Sequence, residues 1–169
     1  MKTFLVLLMC VLSVVVPKAS AFEVTLSEQQ ATDMLQVRFP VRQSYQGFDI
    51  TFSDPKVTIE GAINSIKIKS IILAQQNGQK LRAIASVQGQ INYNQKEQVI
   101  EIIKPSLVEF TILDNSINQS EQVITSLKQA IGQQLPMIFL LDVKQIGQLL
   151  PSLQPKNIVL RGSNIVINF

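Results

Sequence analysis

The chain has 169 residues, enough for one domain of ordinary size. It carries no histidine and one cysteine, which removes His-based triads, histidine general bases and the usual zinc and other transition-metal ligand sets. The formal charge is +3, but no cluster of Lys and Arg with interleaved aromatics occurs, so the electrostatic footprint of nucleic-acid binding is missing.

The first 21 residues read as a secretory signal peptide. Met1-Lys2 supplies a short positive region, Phe4 to Val16 an apolar one, and Ala19-Ser20-Ala21 a small-residue cleavage site. About a dozen apolar residues is short for a bilayer span, and Pro17 and Lys18 end the run. The mature chain is expected to begin at Phe22 and to form a single domain over 22–169. Losing Lys2 and Lys18 takes the net charge from +3 to +1. The only cysteine, Cys10, leaves as well. Met9 before it is not the small residue that a lipidated cysteine needs, so a lipid anchor is the lesser reading. A cysteine-free secreted domain fits a Gram-negative periplasm.

Ser27 opens the first helix, with Gln30 completing a capping box and Leu26 placed for a hydrophobic staple. Ala31, Met34 and Leu35 form its apolar stripe, and Pro40 ends it. From Val41 to Leu113 the hydrophobic period changes to two. Phe48, Ile50 and Phe52 alternate with polar neighbours, Asp54-Pro55 predicts a turn, and Asn77-Gly78 is the clearest hairpin signal. Leu81 to Tyr93 and Ile100 to Ile112 predict two long strands with one wet face, the second interrupted by Pro105 at a bulge or edge.

Ser120 to Leu150 carries the longest apolar run at helical spacing: Val123, Ile124, Leu127, Ala130, Ile131 and Leu135 form one stripe. Pro136 predicts a kink or two helices, and Met137 to Leu141 is apolar nearly all round. Ile158 to Phe169 predicts a closing strand, with Arg161-Gly162-Ser163-Asn164 as a bulge or tight turn inside it and the C-terminus pinned in a sheet. The expected fold is α+β: a long, curved antiparallel sheet wrapped around a long, proline-broken C-terminal helix, plus a short N-terminal helix.

Catalytic signals are weak. The nearest carboxylate pairs, Asp49 with Asp54 and Glu101 with Glu109, read as solvated surface groups on strands. Ser126 and Lys128 are two apart on a helix and do not face each other. Gly-x-Ser-x-Gly and phosphate-cradling glycine loops are absent from the sequence. An enzyme is therefore not expected, nor a cofactor or metal. The excess of apolar residues on the helices reads either as a packed core or as a pocket for an acyl chain lined by Met34, Leu35, Met137, Ile138, Phe139, Leu149 and Leu150.

The capped helix Leu26-Ser27-Glu28-Gln29-Gln30 leading to Arg38-Phe39-Pro40, the long meander, the break at Leu149-Leu150-Pro151 and the closing Ile158 to Ile167 run together resemble the YceB-like bacterial envelope proteins. The resemblance covers most of the mature chain through diffuse patterns, not a sharp signature. It implies a fold similar to one module of the tubular lipid-binding (TULIP) proteins, an apolar ligand or lipid, and no catalytic residues. The family's best-known members are lipoproteins, whereas this chain lacks a convincing lipobox. The expectation is a monomeric periplasmic protein binding a lipid or other hydrophobic molecule. The alternative is a non-catalytic structural or assembly partner of another envelope protein, for which a large exposed apolar patch would be the sign.

Overall fold

The computed structural model describes residues 22–45, 47–117, 120–134, 139–142 and 155–169. The signal-peptide reading of residues 1–21 lies outside them. In chain order the elements are β1 (Glu23–Ser27), α1 (Glu28–Gln36), β2 (Val41–Tyr45), β3 (Phe48–Glu60), β4 (Ser65–Gln76), β5 (Gln79–Asn94), β6 (Val99–Asn115), α2 (Ser120–Gln134), β7 (Phe139–Asp142), β8 (Asn157–Arg161) and β9 (Asn164–Asn168). β2 to β7 form a curled six-stranded antiparallel sheet in sequence order, and β1, β9 and β8 form a separate three-stranded sheet.

Alternation decides which face of the meander is covered. Directly paired residues share a face, so the register places Phe52, Ile72 and Ala83 in one row, and Val57, Ile68 and Val87 in another, on the same side. Phe52 and Val57 differ in parity, yet they share this side because a bulge between Ser53 and Lys56 inserts one residue, with Asp54 at φ +52°. Asp54-Pro55 is thus a bulge within β3, not the turn the sequence suggested. Asn77-Gly78 is the expected hairpin turn, both residues having positive φ. Register also shifts between Gln88 and Gln90 opposite Lys104-Pro105, where a bulge was expected.

The covered face carries two apolar clusters at opposite ends of the strands. At one end α1 and the small sheet place Leu26, Leu35, Ile165 and Ile167 against Val57, Ile59, Ile66, Ile68, Ile100 and Ile102. At the other, α2 places Leu127 and Ile131 against Phe48, Ile50, Phe52, Ile72, Leu81 and Ala83. β9 is the central strand of the small sheet, and Phe169 N–H donates to Phe22 O at 2.9 Å, so the C-terminus is pinned as expected.

The helix-centred α+β fold expected from the sequence is overturned. Strand dominates, and among the described residues there is no long C-terminal helix for a sheet to wrap. Among the described residues the helix covers Ser120 to Gln134, and Phe139–Asp142, expected within the buried helical stretch, is a strand on the edge of β6. The reason is physical: a short run apolar on every side has no period, and it satisfies a buried strand as well as a buried helix. The β1 strand was also missed, because its five residues precede a strong helix cap and are too few to show alternation.

Helix α1 starts where the capping box put it. Ser27 Oγ accepts from Gln30 N–H and Gln30 Oε1 accepts from Ser27 N–H. Its side chains also close a sheet edge. β2 pairs with β3 only up to Phe52, and beyond that point Thr32 Oγ1 accepts from Val57 N–H at 3.0 Å and Glu28 Oε1 from Ile59 N–H at 2.7 Å. One helix face, at i and i+4, thereby stands in for a strand. Thr32→Val keeps the shape and deletes the acceptor, leaving a buried N–H unpaired. It should lower the unfolding free energy by about 1–3 kcal/mol in urea titrations, with Thr32→Ser close to wild type.

A second expectation concerns Gly89. A Cβ there would meet Ile102 Cγ2 at 2.4 Å and the Ile103 carbonyl oxygen at 2.7 Å, because β6 bulges towards β5 at this row. The carbonyl is backbone and cannot swing aside. Gly89→Ala should lower the thermal midpoint through about 1–3 kcal/mol of overpacking.

Candidate functional site

The seam between α2 and the outer half of β6 is the place where apolar side chains of the covered face stay open to water. Pairing sets Leu107 opposite Val87, Phe110 opposite Ala85 and Ile112 opposite Ala83. The alanines keep the floor of the seam low. Leu107 and Phe110 are only half-buried, and Ile112 is 41% exposed. Register shifts in β6 turn Val108 and Leu113 out as well, at 50% and 48% exposure. On the helix side Leu127 and Ile131 are buried, Ile124 is half-buried, and Lys128 Nζ lies 5.4 Å from the centre of the Phe110 ring. A cation over an aromatic face at the rim of an apolar strip is the electrostatic feature of the seam. On the side away from β5, no strand among the described residues pairs with β6 beyond Glu101.

No protein-family model matches the chain. No curated protein matches it either.

The sequence-predicted ligand residues do not assemble here. Leu35, at 1% exposure, and the half-buried Met34 belong to the cluster beneath α1, at the opposite end of the sheet. Phe139 lies on β7, in register with Glu101. Met137, Ile138, Leu149 and Leu150 lie outside the described residues. Sequence reasoning did place Phe110 and Ile112 on one face of a strand, but it treated that face as core. The missed signal was the pair of small residues Ala83 and Ala85 in a strand of larger apolar ones.

The carboxylate pairs are also located. Glu101 and Glu109 are eight positions apart on β6, roughly 25 Å by strand rise, too far to act together. Glu101 is not solvated as expected: β5 and β7 flank it on either side and it is 5% exposed. Asn92 Nδ2 donates to Glu101 Oε1 at 2.8 Å, while Oε2 is buried with no partner among the described residues. Asp49 and Asp54 are exposed. Among the described residues no three acidic or other metal-ligating side chains cluster.

Glu109 lies on the sheet's other face. Ser86 Oγ donates to Glu109 Oε2 at 2.7 Å, and this bond, opposed by desolvation and aided by Lys69, holds the carboxyl below its ordinary range. A depressed carboxyl contributes stability above its unfolded value, and this is lost as pH falls through the folded one. Ser86→Ala should therefore raise the Glu109 titration midpoint in carboxyl-detected NMR. An unmoved midpoint would contradict the assignment.

Proposed function

We propose that this protein is a non-catalytic binder of a lipid or other hydrophobic molecule, which lies along the α2–β6 seam and is shielded there from water. The observation that carries the reading is the run of open apolar side chains Leu107, Phe110 and Ile112 beside a half-buried helix face, over a floor of alanines. Pockets for such ligands are mainly apolar with few polar groups, and Lys128 supplies one cation at the rim. The apolar run from Phe4 to Val16, read as a signal peptide, supports action outside the cytoplasm, in a periplasm.

The test is a titration with an environment-sensitive fluorescent fatty acid. Wild type should bind it saturably. Ile112→Asp, at a position 41% exposed, should weaken binding about tenfold or more in a variant that circular dichroism shows folded, since it removes an apolar side chain worth about 1.5–3 kcal/mol when covered and adds a charge. Equal affinity in the variant would reject the seam.

A second reading is favoured by the outer edge of β6, which no strand among the described residues covers beyond Glu101. A partner protein could add a strand alongside Val108 to Leu113, with main-chain hydrogen bonds giving affinity. Capture of an extended peptide with no fatty-acid binding would select this reading.

A further inference from the structure

We propose that the uncovered face of the meander docks onto an anionic lipid surface. Linear sequence hides this face, because its cations come from four different strands. Pairing sets Arg42, Thr51, Leu73 and Arg82 in one row. Ile71 and Ile84 are opposite each other in the next row, and Lys56 and Lys69 in the row beyond. An aliphatic stripe of half-buried Ile71, Leu73 and Ile84 is thus bordered by cations on both sides.

The charges on this face do not cancel. Lys67 pairs with Glu60, Lys69 with Glu109 and Lys80 with Asp114 at 3.3–3.5 Å. Arg42, Lys56 and Arg82 are exposed and make no ion pair among the described residues. Against these three stand exposed Asp49, which accepts from Ser44 Oγ, and exposed Asp54 in the β3 bulge, which accepts from Ser53 Oγ. Lys56 stands directly opposite Lys69, whose charge Glu109 balances, so Lys56 is the uncompensated cation of that row. Around Arg42 the face sinks into an open groove of about 610 Å³, between Ser44, Asp49, Thr51, Leu73 and Gln75, large enough for a headgroup. Cations spread over a sheet, with short aliphatic side chains between them, match a planar array of phosphates: the ammonium and guanidinium groups meet the headgroups and the stripe enters only the interface. The face lies on the other side of the sheet from the α2–β6 seam, so the two readings stand or fall separately.

The test is co-sedimentation of the purified protein with vesicles of phosphatidylcholine alone and of phosphatidylcholine mixed with phosphatidylglycerol. Binding should occur to the mixed vesicles only and fall as salt is raised. Each cation near such a surface contributes roughly a fivefold change in partitioning. The triple variant Arg42→Glu, Lys56→Glu, Arg82→Glu should therefore lose about a hundredfold or more. Lys156→Glu, just before β8, should change nothing, and Arg42→Lys with Arg82→Lys should retain binding. Equal binding to both vesicle types, no binding at low salt, or a folded triple variant that sediments like wild type would each overturn the proposal. Should the triple variant not fold, the salt series and the two vesicle compositions on the wild-type protein decide it.

Discussion

Replacing Leu35 by alanine is expected to lower the unfolding free energy by about 2–5 kcal/mol. Leu35 is 1% exposed and joins α1 to a cluster that draws on β3, β4, β6 and the small sheet, so deleting three carbons leaves a void that neighbours from several elements cannot jointly fill. The sequence offered Leu35 as a wall of an acyl-chain pocket. A wall residue facing an open cavity has fewer partner atoms to lose, and its truncation would cost well under 2 kcal/mol. Urea unfolding of Leu35→Ala therefore separates a filled core from a cavity under α1. Loss of stability with unchanged fatty-acid affinity is the predicted combination.

Leu127→Ala should be comparably costly, about 2–5 kcal/mol, with a different spatial signature. Leu127 is 1% exposed and anchors α2 to the far end of the sheet, among Phe48, Phe52, Ile72 and Leu81. The two clusters occupy different halves of the same strands and, among the described residues, share the partly buried Phe39 alone. Amide exchange should therefore accelerate first in α2 and in the halves of β3 and β5 beneath it, while the pairing of β1, β8 and β9 keeps its protection. Uniform acceleration over the whole chain would show that the two ends unfold as one unit. Ligand affinity should fall as well, since the helix forms one side of the seam.

Much of the meander was legible because alternation is a strong signal when one face is buried. Phe48, Ile50 and Phe52, then Leu81 through Tyr93, fall on the strands they announced, and Asn77-Gly78 and Pro105 mark the turn and the bulge they predicted. The capping box at Ser27 and Gln30 forms both of its hydrogen bonds. The closing run from Ile158 to Phe169, with its turn at Arg161 to Asn164, became the β8–β9 hairpin, but the stretch around Phe139 was not legible. Ser120 to Gln134 has a period and is helical, whereas Phe139 to Asp142 has none and went to the sheet. The candidate site was hidden for another reason. Phe110, Ile112 and Lys128 become neighbours through a sheet register and a helix position that single-chain spacing cannot supply. Likewise, Arg42, Lys56 and Arg82 form a charged face only once four strands are aligned.

The most direct measurement of where a hydrophobic ligand sits is photolabelling with a diazirine-bearing fatty acid, followed by proteolysis and mass spectrometry. The account predicts saturable labels on β6 between Leu107 and Leu113 and on α2 around Ile124 to Lys128, competed by unlabelled fatty acid and lost in Ile112→Asp. Saturable labelling at Met34 and Leu35 under α1, or no competed label anywhere on the chain, would contradict it.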